Sequence, residues 1–213
     1  MTRALTIGLI LLPLVVGGFL YGQLPEQMII HFNASGEPDG YQGKQMFFLS
    51  YAVISLILFA LTGQLHKLDP KRKNYEKFPK AYSMIRLVLA LIVGGAFSHL
   101  LAVNLGMEVD VRMVAFALLG IAWMVIGNYL TQVRSNYFIG IRTPWTLASE
   151  EVWRKTHRMA GPLWLVLGLL MLVAAFFPGL REIAWLPLLL IGLSVLVPMI
   201  YSYYVYKKMG AKA

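Results

Sequence analysis

His31, Glu37 and Asp39 fall within nine residues of one another, and one imidazole with two carboxylates is a donor set that could hold a divalent metal or move a proton. No second histidine lies near them, and the residues between include Asn33, Ser35, Gly36 and Pro38, all turn formers. Asn33 and Asp39 are therefore expected to hydrogen-bond their own turns, with no metal and no other cofactor bound. A second set of chemistry-bearing residues occupies positions 136–158, NYFIGIRTPWTLASEEVWRKTHR. Gly140 and Pro144 bracket Arg142 and Thr143, which breaks any continuous helix and presents Arg142 in fixed geometry to a bound anion, to helix-end carbonyls or to an interacting protein. Ser149 reads as the N-cap of a new helix, with Glu150 and Glu151 in its positive first turn. Glu150 with Arg154 and Glu151 with Lys155 are i,i+4 pairs, and Trp153 and His157 share another face. Trp145 and Trp153 fit either an aromatic belt at headgroup level or a more specific motif.

Other chemistry is hard to find. The chain has no cysteine, which removes thiol catalysis and thiolate metal sites, and it contains no HExxH, serine-nucleophile or phosphate-loop pattern. An enzyme is not expected. His99, with Ser98 and Asn104, and Asn128 with Gln132 are the groups in the apolar stretches polar enough to line a site, and a lone histidine there reads as a packed residue rather than a proton relay.

The elements that must position these residues are membrane spans. Hydrophobic residues make up 58% of the chain and charged residues 14%, with a mean hydropathy of +0.65, too apolar for a soluble domain. Residues 4–21, 46–65, 87–107, 113–133, 159–180 and 183–206 contain no Asp, Glu, Lys or Arg. Each is long enough, at about 1.5 Å per residue, to cross a hydrocarbon layer of about 30 Å. The first is read as a helix rather than a cleaved signal peptide, since no A-x-A-like site ends it. The fold expected is an all-α integral membrane protein of six transmembrane helices.

Sixteen of the nineteen Lys and Arg residues lie on the side of the N-terminus if six spans are threaded, Lys212 among them; only Lys44, Arg112 and Arg181 fall opposite. Positive charge accumulates on the cytoplasmic side, so both termini are expected there. The net charge of +9 is then a topology signal, and direct nucleic-acid binding is not expected. Residues 1–66 read as an N-terminal hairpin of spans with a tight, structured external loop, in which Met28 and Ile29 either lie in the interface or form a short strand. Residues 67–82 read as a basic cytoplasmic anchor. Residues 83–213 read as a four-helix part carrying a cytoplasmic motif loop over 134–158.

The outer sequence LPEQMIIHFNASGEPDGYQGK and the inner sequence NYFIGIRTPWTLASEEVWRKTHRMAG resemble the two hallmarks of the SdpI family of bacterial immunity membrane proteins. The outer motif falls on Leu24, Pro25, His31, Phe32, Asn33, Gly36 and Asp39. The inner motif falls on Asn136, Phe138, Gly140, Arg142, Thr143, Pro144, Trp145, Thr146, Trp153, His157 and Arg158. The resemblance implies a multi-pass protein of the bacterial cytoplasmic membrane, in contact with the lipid bilayer, that protects its cell against a secreted peptide toxin. It also implies a receptor role, in which a cytoplasmic transcriptional repressor is held at the membrane when an extracellular toxin is present. The competing expectation is a transporter of a small neutral or lipid-like solute, since the spans lack the acids and bases of an ion-coupled pathway. Coupling between the two motifs is expected to use movement of the fourth and fifth spans, with Gly127, Gly161 and Pro162 supplying compliance.

Overall fold

The computed structural model describes residues 2–210; Met1 and residues 211–213, including Lys212, lie outside them. Six helices are long and apolar enough to cross a membrane: α1 (Thr2–Phe19), α2 (Lys44–Leu68), α3 (Pro79–Asn104), α4 (Val111–Leu130), α6 (Glu150–Phe176) and α8 (Leu186–Gly210). Two short helices, α5 (Pro144–Ala148) and α7 (Pro178–Arg181), punctuate the connections on either side of α6. The expected basic loop is shorter than 67–82, because α2 runs on to Leu68 and Pro79 starts α3 at a helical position where its missing N–H costs nothing.

The all-α expectation needs one correction. Strands β1 (Gln27–Phe32) and β2 (Pro38–Gly43) pair antiparallel between α1 and α2, with irregular register around His31. Of the two settings open to Met28 and Ile29, the strand is the one found. Asn33 makes the turn: its Oδ1 accepts from the backbone N–H of Ser35 at 2.9 Å and of Glu37 at 3.0 Å, and Gly36 takes φ +85°.

The helices pack in a relay. α3 lies against α1 and α4, α6 lies against α4 and α8, and α2 stands to one side, touching α1 little. Packing between α4 and α6 is set by glycines one heptad apart on each helix. A Cβ on Gly127 would lie 2.7 Å from the Gly161 carbonyl oxygen, and one on Gly168 would lie 2.6 Å from the Met124 nitrogen and 2.7 Å from the Gly120 carbonyl oxygen. Small residues that let helix backbones meet replace the hydrophobic drive that lipid does not supply. Gly127 and Gly161, expected to supply compliance, stand at these backbone contacts; the interruption at that level is Pro162, which leaves the Arg158 carbonyl without its helical donor.

Three apolar clusters follow this order. Met28, Phe47, Tyr51 and Phe97 fill the space beneath the hairpin, with Tyr51 stacked on Phe97 at 3.7 Å between ring centroids. Phe116, Leu167, Met171 and Leu190 join α4, α6 and α8. Tyr75, Phe78, Val133 and Trp153 join the loop after α2 to the loop after α4.

Candidate functional site

The two motifs lie at opposite ends of the bundle. At the hairpin end, the pleat divides the motif between two faces. His31 and Asp39 are exposed and joined across the strands, Nδ1 to Oδ1 at 2.5 Å, so Asp39 pairs with the imidazole instead of serving its own turn. Gly40, the cross-strand partner of His31, is required there because a Cβ would come within 2.7 Å of the His31 Cβ. Phe32 faces the helices, its ring 5.7 Å from that of His99, a packed histidine as its sequence setting suggested. Glu37 accepts from Asn33 Nδ2 at 3.1 Å and so turns away from the His31–Asp39 pair. Among the described residues, no group of three His, Cys, Asp or Glu is arranged to hold a metal ion.

The hairpin is fastened at three places. Asn104, at the end of α3, donates through Nδ2 to the Ile29 carbonyl at 3.0 Å and accepts through Oδ1 from the Ile29 N–H at 2.8 Å. Lys44 is buried at its base, donating to the Leu24 carbonyl at 3.0 Å and pairing with Glu26 at 2.8 Å. At its tip, Gly36 lies beside Arg112, whose backbone N–H caps onto Asp110 at 2.9 Å. Asp110 also accepts from Arg181 Nε at 2.9 Å, so one carboxylate links the α3–α4 connection to the α6–α8 connection. Partial burial pushes this carboxyl up, but the hydrogen bonds and charge of Arg112 and Arg181 outweigh it and hold it below its ordinary value.

At the opposite end, the inner motif folds a non-helical loop onto α6. Asn136 is fully buried: its Oδ1 accepts from the N–H of Phe138 at 2.9 Å and of Ile139 at 2.6 Å, and its Nδ2 donates to the carbonyls of Arg134 and Ile139. Gly140 has φ +105°, and a Cβ there would lie 2.5 Å from His157 Nε2. His157 is buried and stacked on Trp153 at 4.2 Å. Its Nε2 accepts from the Ile141 N–H at 3.1 Å, so the proton sits on Nδ1, which donates to the Trp153 carbonyl at 2.9 Å. Thr143 caps α5 in a reciprocal box with Thr146, followed by Pro144 at the first helical position, and its Oγ1 lies 3.0 Å from Ser202 Oγ on α8. Trp145 packs against Tyr203 with ring centroids 5.0 Å apart.

The belt alternative for Trp153 is overturned, since the ring is buried and its Nε1 donates to the Val133 carbonyl at 2.9 Å. Ser149 caps α6 as expected, accepting from the Val152 N–H, and Glu151 pairs with Lys155 at 2.7 Å. The other expected pair does not close: Glu150 and Arg154 instead line a cavity of about 280 Å³ together with Lys77 and Arg134. Arg142 is exposed and donates to the Tyr137 carbonyl at 2.8 Å, leaving the rest of its fork to solvent; Arg158 is exposed on α6.

Reading the motifs alone missed the other half of this knot. Asp69, buried in the loop after α2, accepts from the Tyr75 hydroxyl at 2.9 Å and from the Tyr137 N–H at 2.8 Å. Tyr75 also reaches Asn136 Oδ1 at 3.2 Å, while Lys71 and Asn74 donate to Ser135. Burial, reinforced by the hydrogen bond to Asp69 and its charge, pushes the Tyr75 phenol up. The basic loop is therefore docked onto the motif loop and is more than a charge anchor. The available signal was Asp69 and Tyr75, set among the cations of that stretch.

Residues 132–202 match the SdpI/YfhL protein family, and residues 8–55 match a domain of unknown function, DUF1648. The chain is 29% identical over 191 residues to "Immunity protein SdpI" of Bacillus subtilis (strain 168), covering 90% of this chain and 89% of that protein. No solved structure matches. The resemblance carried by the two motifs is thus met by a family match and by a relative spanning both, and six such helices make the chain a multi-pass bacterial membrane protein.

Proposed function

We propose, on the premise of this similarity to the SdpI/YfhL family, that the chain is a membrane immunity protein that confers resistance to a secreted peptide toxin and works by binding rather than catalysis. The observation that carries the reading is the 29% identity to an immunity protein over 90% of the chain, which runs through both motif ends. In this reading the termini and the motif loop are cytoplasmic and the β-hairpin is external, as the sixteen-to-three distribution of cations favours. The exposed His31 and Asp39 pair, on a hairpin held by Asn104 at the end of α3 and by Lys44 at its base, is the surface that meets the toxin.

The cytoplasmic limb is a receptor surface that recruits a repressor. Its recognition group is Arg142, exposed with a free part of its fork, and the same end of the bundle carries the exposed Arg158 and the mixed-charge cavity of Lys77, Arg134, Glu150 and Arg154. Asn136, Gly140, Thr143, Pro144, Trp145, Thr146, Trp153 and His157 hold that surface in shape.

The test is survival of a toxin-sensitive bacterium expressing the chain and challenged with a cannibalism-type peptide, alongside Asp39→Ala and Arg142→Ala at matched membrane abundance. Protection lost with Asp39→Ala and kept with Arg142→Ala is the expected result. No protection by the unaltered chain sinks immunity to that toxin.

A further inference from the structure

Arg86 lies two turns inside α3, and its Nε is buried with no hydrogen-bond partner among the described residues. A guanidinium at the end of a span with its Nε shut off from water is costly unless an anion meets it. Arg86 lies instead over the ring of Phe59, 5.8 Å from its centroid, and lines a small polar cavity of about 140 Å³ with Thr2, Arg3, Thr6 and Ser83. Among the described residues, no carboxylate lines this cavity.

Phe59 is also a wall of a second cavity, of about 330 Å³, that opens along α1 and α2 where the two helices scarcely touch. Its lining is apolar, including Ile10, Leu14, Ala52 and Leu56. The residues of α1 that border the two cavities run from Thr2 to Leu14, a rise of about 18 Å at 1.5 Å per residue. One leaflet of a bilayer is about 15 Å, half of the hydrocarbon thickness.

We propose that the groove between α1 and α2 is a phospholipid site, with an acyl chain against Leu14, Ala52 and Leu56 and the phosphate between Arg3 and Arg86. The planar fork of arginine matches phosphate oxygens in two places, and Ser83 adds a hydroxyl donor at the same end. An apolar helix from a partner would cover the groove but leave two guanidinium groups without a counter-charge. A free phosphate would meet the arginines and leave the groove empty. A phospholipid satisfies both ends at once.

The full-length chain, purified in detergent and incubated with dioleoyl phosphatidylglycerol, is separated from free lipid by gel filtration, and bound phosphorus is counted per chain. The unaltered protein should retain phospholipid, and Arg86→Gln should reduce retention by about tenfold, with Arg86→Lys intermediate. Ala52→Phe, which fills the groove without touching a charge, should reduce retention to a similar degree. Thermal unfolding in the same detergent checks that each variant is folded. Equal retention by the parent and by either folded Arg86→Gln or Ala52→Phe overturns the proposal. Displacement of the lipid by excess inorganic phosphate overturns it as well, since that identifies an anion site with no use for the groove.

Discussion

Asn104 holds Ile29 by both of its backbone groups, accepting from the N–H at 2.8 Å and donating to the carbonyl at 3.0 Å, so one side chain replaces a neighbouring strand along one residue of β1. An edge strand above a bundle is otherwise free to slip, and this pair fixes which residue sits over α3. Asn104→Leu should lower stability by about 1–3 kcal/mol, the cost of stranding part-buried polar groups, and should speed amide exchange over residues 27–32. Hydrogen exchange in detergent measures it; unchanged exchange there would mean that Lys44 and the apolar cluster hold the hairpin without Asn104.

The glycine contacts of α4 and α6 predict a graded response to size. Gly168→Ala should lower the midpoint of thermal unfolding through overpacking of about 1–3 kcal/mol, and Gly168→Leu should lower it further, because the colliding atoms are backbone. Gly63→Ala, where a Cβ meets nothing, is the control and should leave the midpoint in place.

Acid should loosen the hairpin end. The folded Asp110 carboxyl lies below its ordinary value of 3.8, so its contribution is present above that pH and is lost as pH falls through the lower folded value. Asp110→Asn keeps the helix cap and removes the charge that meets Arg112 and Arg181. This variant should be less stable than the parent at neutral pH and should lose that difference on acidification below 3.8, as followed by thermal unfolding across pH.

Because the chain has no cysteine, orientation can be read from single introduced ones. Ser35→Cys at the hairpin tip should react with a membrane-impermeant maleimide in intact cells, and Lys73→Cys should react only after lysis. The reverse pattern would invert the proposed assignment of both faces.

Asp69→Ala should open the contact between the two loops, leaving the Tyr75 hydroxyl and the Tyr137 N–H without their acceptor at a cost of about 1–3 kcal/mol. Limited proteolysis in detergent should then cut within residues 133–139, which should resist cleavage in the parent. Tyr75→Phe should act in the same direction and more weakly.

The spans and the breaks between them were legible because uncharged runs of bilayer length, Ser149 before two glutamates, and the Gly140 to Pro144 interruption are local signals. The hairpin was legible as a structured loop, while its strands were left open because Met28 and Ile29 in sequence look the same in an interface as in a strand. What the chain did not disclose is long-range. Tyr75 meets Asn136 and Asp69 meets Tyr137 across more than sixty residues, and nothing in a basic loop marks its one buried acid. The same holds for Trp153, whose burial depends on Val133 and His157 and not on its own type.

The heptad-spaced glycines have a mechanical consequence. Helices whose backbones touch at Gly127 and Gly161 and again at Gly120 and Gly168 are interlocked along their length, so neither can roll or slide past the other without a clash. A displacement at one end of this pair has to reach the other end as the movement of a single rod. The joint available to that rod is its boundary with α1, α2 and α3, and the Asp69–Tyr75–Asn136 contact is where the two bodies are pinned together.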